Sequence, residues 1–148
     1  MWTRYISKEG LTAVLLLALL VLQACIVYVD TDDEDDDYRR FRGTRWYVEV
    51  IVHDGRSYRV NDGVYALTFT NDELSGTADC NDFGASYEVR GDRRLEVYGL
   101  YATEVACGPG TLENRFFDVL DDAELFDLRG TALTLSTRRG DALYLRRD

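Results

Sequence analysis

From Arg45 onward the hydrophobic positions recur mostly at every second residue. Trp46, Val48, Val50 and Val52 alternate with Tyr47, Glu49, Ile51 and His53, which predicts a strand with one buried face. Tyr65, Leu67 and Phe69 repeat the pattern, and Asn71-Asp72 supply a turn before Leu74-Ser75-Gly76. Tyr87 and Val89 lead to a turn at Gly91-Asp92, after which Leu95 and Val97 begin another strand. Phe126 and Leu128, Leu133 and Leu135, and Leu143 and Leu145 mark three closing strands, separated by tight hairpins at Gly130-Thr131 and Gly140-Asp141. One segment has a different period. Leu112, Phe116, Val119, Leu120 and Ala123 fall at helical spacing, with Pro109-Gly110-Thr111 as a break and cap and Glu113 in the first turn. The expected fold is mainly β: a small antiparallel β-barrel-like domain or strongly curved sheet, with one short helix on its mouth or face.

The amino-terminal pattern is of another kind. Arg4 and Lys8 precede an apolar run from Leu11 to Leu22, which ends in Leu22-Gln23-Ala24-Cys25. A positive start, a short apolar segment and a small residue before the cut form an export signal. The last four residues resemble a lipobox, which implies a diacylglycerol thioether on Cys25, cleavage before it and an acylated new amino terminus. Acyl chains on one Cys hold a protein on a bilayer at about 0.8 kcal/mol per buried CH₂. The competing reading is an uncleaved anchor, since apolar character continues through Val29 and such a stretch is long enough to span. Either reading places the domain outside the cytoplasm, because the basic amino terminus stays inside. Ile26 follows Cys25 where Asp commonly retains lipoproteins at the inner membrane, so resemblance favours the outer membrane, facing the periplasm.

Charge changes the picture in one place. Asp30, Asp32, Asp33, Glu34, Asp35, Asp36 and Asp37 are seven negatives in a row broken once. Without them the formal charge falls from −10 to −3. No start within this run places Gly and Glu as an EF-hand loop requires, so it reads as an extended, solvated tether. The organisation is therefore residues 1–24 as signal, 25–42 as tether and 43–148 as the folded domain. The mild acidity of the remainder excludes nucleic acid as a partner, since phosphate binding needs a basic footprint.

Candidate chemistry is sparse. Cys80 and Cys107 remain once Cys25 is set aside, and in an oxidising compartment an isolated pair reads as a disulfide. Metal binding lacks further ligands, and a redox pair lacks the Cys-x-x-Cys motif. His53, the sole histidine, lies by alternation on the outward face beside a turn at Asp54-Gly55. Ser57, Ser75, Ser86 and Ser136 sit in no nucleophile motif. The acidic pairs Asp79 with Asp82 and Asp121 with Asp122 read as solvated surface, and Asn81 as a turn or capping side chain. No phosphate loop, cofactor motif, metal site or catalytic residue is expected.

Two stretches resemble a known family. Leu74-Ser75-Gly76-Thr77-Ala78-Asp79-Cys80-Asn81-Asp82-Phe83-Gly84-Ala85-Ser86-Tyr87 is similar to the Gly…Cys-Asn-x-Phe…Tyr core of the META, or HslJ-like, domain. Thr103-Glu104-Val105-Ala106-Cys107 resembles its second signature, and Gly130 to Leu135 its closing hairpin. Ala85 stands where the family usually has Gly, which places the local turn geometry in question. The resemblance implies a small β-barrel-like domain with one helix and bridged cysteines, common on secreted or lipid-anchored bacterial proteins, without a defined reaction. The expected function is a non-enzymatic binding or stabilising module at the envelope, held to the membrane through Cys25 and facing an envelope protein as partner. A carrier of a small apolar ligand in the barrel interior, or a hydrolase, are the alternatives.

Overall fold

A computed structural model of the chain describes residues 41–91 and 93–147. The export segment, Cys25 and the acidic run lie outside the described residues. The strands are β1 (Arg45–His53), β2 (Arg56–Arg59), β3 (Tyr65–Phe69), β4 (Glu73–Ala78), β5 (Asn81–Arg90), β6 (Arg94–Ala102), β7 (Leu125–Arg129), β8 (Ala132–Ser136) and β9 (Ala142–Arg146). One helix, α1 (Glu113–Asp121), joins β6 to β7.

Each strand pairs antiparallel with its neighbours, and β9 returns to β1, so eight strands close into a barrel. Closure pairs both sides of most strands, which shortens the edges open to another chain. β2 stands outside the ring as a hairpin partner of the second half of β1. Its sequence, Arg-Ser-Tyr-Arg, has no apolar alternation, which is why periodicity alone passes over it. The junction of β6 and β7 is the narrowest. It rests on Leu95 N–H to Glu124 C=O and Phe126 N–H to Arg93 C=O, each 2.9 Å.

Two bulges bend the wall. In β1, Val48 faces Leu145 while Val50 faces Tyr144, so Glu49 is an extra residue. Trp46 and Val48 point inward as expected, and the bulge reverses the phase in the second half of β1. Ile51 is fully buried in the core, whereas Val50 and Val52 are half-buried, and His53 takes the parity of Ile51. Between β5 and β6, Gly84 faces Tyr101 and Ser86 faces Tyr98, so β6 carries one extra residue beside Gly99, whose φ is +68°. The stretch around Gly84 and Ala85 is thus continuous strand rather than turn. A Cβ at Gly84 would lie 2.4 Å from the Tyr101 hydroxyl, so Gly there lets that ring cover the strand.

The interior is filled from mouth to mouth. Phe41 plugs one end with its ring 4.8 Å from Phe69 and 5.2 Å from Phe126. Its carbonyl accepts a 2.9 Å hydrogen bond from the buried Trp46 indole. Phe41 precedes the expected domain start at residue 43, yet it is completely buried. Trp46, Leu67, Leu74, Leu133, Leu135 and Leu143 occupy the middle, none more than 1% exposed. At the other end α1 lowers Phe116 between Tyr65 and Phe83, 5.3 Å from each ring centre. The helix therefore caps a mouth, as its single apolar stripe requires. Thr111, expected as the cap, accepts the Glu113 N–H through Oγ1 at 3.1 Å, while Leu112 is the terminal non-helical residue. The turn expected at Gly140-Asp141 is a five-residue loop, 137–141, held by the Thr137 hydroxyl accepting from Arg139 N–H and Asp141 N–H.

Candidate functional site

Two polar constellations lie at the helix-capped end, one on either side of α1. The first grows from the β4–β5 hairpin. Ala78 pairs with Asn81, leaving Asp79 and Cys80 as a two-residue turn, with Asp79 at φ +52°. Cys80 is consequently exposed, and it bridges to Cys107 in the segment between β6 and α1, with an S–S distance of 2.05 Å. The two cysteines are brought together as the sequence predicts.

Asn81 organises the surroundings. It is 4% exposed, and each of its polar atoms is used. Oδ1 accepts from the Thr103 hydroxyl at 2.7 Å and from Val105 N–H at 2.8 Å. Nδ2 donates to Val105 C=O at 3.0 Å and to Glu113 Oε2 at 2.8 Å. The side chain thus stitches the β4–β5 hairpin, the segment carrying Cys107 and the start of α1, a larger task than capping its own turn. Glu113 Oε2 also lies 3.4 Å from Cys107 Sγ. The other oxygen, Oε1, is buried with no hydrogen-bond partner among the described residues. Glu113 was visible in the sequence only as a helix-start acid. Its place beside the bridge depends on tertiary packing between residues 32 positions apart.

Tyr65 supports the same end of α1. Its hydroxyl accepts the Leu112 N–H at 3.1 Å, and burial raises its pKa above the ordinary value, outweighing the opposing hydrogen bonds from Thr111 and Leu112.

The second constellation surrounds His53. The β1–β2 turn is Asp54-Gly55 with both residues at positive φ, +52° and +69°, the arrangement a two-residue hairpin needs. Because of the bulge at Glu49, His53 turns toward α1 rather than outward as alternation predicts. Nδ1 lies 3.5 Å from Asp54 Oδ2 and Nε2 3.5 Å from Asp118 Oδ2. Asp141 joins the group by accepting the Asp54 N–H through Oδ1 at 2.9 Å. An open cleft of about 610 Å³ runs beside it, walled by Asp121, Asp122 and Arg139 among others, with Asp122 paired to Arg139. No serine hydroxyl hydrogen-bonds His53 among the described residues; its neighbours there are the two carboxylates. Asp79 and Asp82 are exposed, and the cysteine sulfurs, being bridged, offer no thiolate to a metal.

A closed eight-stranded barrel, plugged by a helix and laced by one disulfide at that mouth, defines the class. The META domain family model matches residues 39–148, and the chain belongs to that family. Its fold is similar to the solution structure of a protein from Burkholderia xenovorans, at 24% identity and a TM-score of 0.63, covering 76% of this chain and 87% of that one. It also resembles the crystal structure of a DUF4847 family protein from Bacteroides vulgatus, at 12% identity and a TM-score of 0.56, covering 74% and 96%. Among curated proteins none matches significantly.

Proposed function

We propose that this chain is a lipid-anchored protein of the bacterial envelope, facing the periplasm, whose META domain acts by binding through its outer surface and not by catalysis. The filled barrel carries this reading. An apolar ligand would have to displace Trp46, Leu135 and Leu143, which are 0% exposed, and emptying a packed core costs several kcal/mol. One further feature supports it: the lipobox-like Leu22-Gln23-Ala24-Cys25. The acidic run gives the domain reach from the bilayer surface, since like charges extend a linker. A fluorescent fatty acid titrated into the protein tests the reading. No saturable binding is expected. One-to-one saturable binding, competed by unlabelled fatty acid, would favour the carrier instead.

A further inference from the structure

We propose that the Cys80–Cys107 bridge is a reversible thiol–disulfide exchange site, in which Glu113 takes the proton from Cys107 as the bridge forms and returns it as the bridge opens. The first observation is access. Cys80 sits in an exposed two-residue turn, so an incoming disulfide or thiol reaches its sulfur without unfolding the domain. Cys107 is half-buried, and its sulfur faces Glu113 Oε2 at 3.4 Å.

The second observation is an unmet hydrogen-bonding need. A bridged sulfur carries no hydrogen, so in this state Cys107 donates nothing to the carboxyl group. Asn81 serves Oε2, and Oε1 remains buried without a partner, in a residue only 9% exposed that forms no ion pair among the described residues. An unsatisfied buried acceptor destabilises a fold, so a bridge with only a structural task gains nothing from this neighbour. Once reduced, the Cys107 thiol can give Oε2, 3.4 Å from its sulfur, a second donor beside Asn81, one that the bridged sulfur cannot supply; Oε1 stays unmet in both states. The arrangement suits the state that precedes bridge formation better than the state that follows it.

The chemistry balances with a disulfide oxidant, R–S–S–R. The exposed Cys80 thiolate, its proton given to water, attacks one sulfur of the oxidant. A Cys80–SR bond forms, and the first RS⁻ departs and takes a proton from water. Glu113 then accepts the Cys107 proton, and the Cys107 thiolate attacks Cys80 Sγ. The Cys80–Cys107 bond forms, the Cys80–SR bond breaks, and the second RS⁻ takes the proton from Glu113. Two protein thiols are oxidised and one R–S–S–R is reduced to two RSH. The reverse sequence opens the bridge with a thiol reductant. The Cys-x-x-Cys device for activating a thiol is absent, and a buried base beside the resolving cysteine takes its place.

The test uses the full chain with Cys25→Ser, so that Cys80 and Cys107 are its only thiols. The reduced protein is reoxidised with glutathione disulfide, and ring closure from the mixed disulfide is followed by acid quench and alkylation. Glu113→Gln should close roughly 100-fold more slowly near pH 7, within the usual range for a positioned base. The difference should vanish above about pH 9, where a thiol of ordinary pKa ionises unaided. A slowing that is the same at both pH values marks Glu113 as a folding residue and overturns the proposal, as does no slowing at all. The unaltered Glu113 protein gives an independent reading. Between about pH 6 and 8 its closure rate should rise much less than the tenfold per pH unit of a thiol without a base, and a full tenfold rise contradicts the proposal.

Discussion

At the residue scale, the helix-capped mouth depends on a few polar atoms among apolar ones. Tyr65 is the clearest case. Its ring packs on Phe116 while its hydroxyl holds the Leu112 N–H. Replacing it with Phe keeps the ring and strands that N–H, which should cost about 1–3 kcal/mol in denaturant titration near neutral pH. The pH dependence has a definite sign. Burial raises the Tyr65 pKa above its ordinary value, so its contribution is intact below about pH 10 and is lost as pH climbs through the raised folded value. The gap between wild type and Tyr65→Phe should therefore narrow in alkali. A gap that stays constant with pH would show that the hydroxyl does not remain neutral in the fold.

At the scale of elements, what was legible in the sequence depended on whether the signal was local. Tyr65-Leu67-Phe69, Leu133-Leu135 and Leu143-Leu145 announce their strands, because an inward row needs apolar side chains two apart. The helix is legible through Phe116, Val119 and Leu120 in the same way, and Asp54-Gly55 through its own turn chemistry. β2 was not legible, since it pairs through its backbone and contributes mainly Tyr58, against which Arg115 stacks at 4.8 Å. Nor was the phase of β1 beyond Glu49, although Trp46 and Val48 point inward as their alternation indicates. The bulge at Glu49 is set by the register against β9, and it redirects both Ile51 and His53. The Asn81–Glu113 contact is similarly invisible until a hairpin and a helix meet. Phe41 leads to a prediction about where the fold begins. Phe41→Ala should destabilise the domain by roughly 3–5 kcal/mol in thermal or chemical unfolding, because it empties one mouth of the barrel. Replacing the seven acids of residues 30–37 with Ser and Gly should leave the melting temperature nearly unchanged, as solvated like charges contribute little. A large loss from the second change would mean that the acidic run docks on the domain.

At the scale of the whole molecule, closure and the bridge divide the work of stability. Ring closure shortens the exposed edges, and the disulfide ties the β4–β5 hairpin to the approach of α1 across 27 positions. Converting either Cys80 or Cys107 to Ser should lower stability by about 2–5 kcal/mol, with the double variant no worse than either single one. Two freely alkylated cysteines in protein taken from the envelope would instead show that the bridge is not the resident state. We propose that this folded domain hangs from a bilayer by lipid on Cys25, its first mature residue. Intact and peptide mass spectrometry of the protein extracted from cell membranes tests it most directly. The expected result is an amino-terminal peptide beginning at Cys25 and carrying a diacylglycerol thioether, with no residue before it. A mature chain that still begins at or near Met1 would mean an uncleaved spanning anchor, and a cleaved chain with bare Cys25 a secreted soluble protein; either result rules out the lipid anchor.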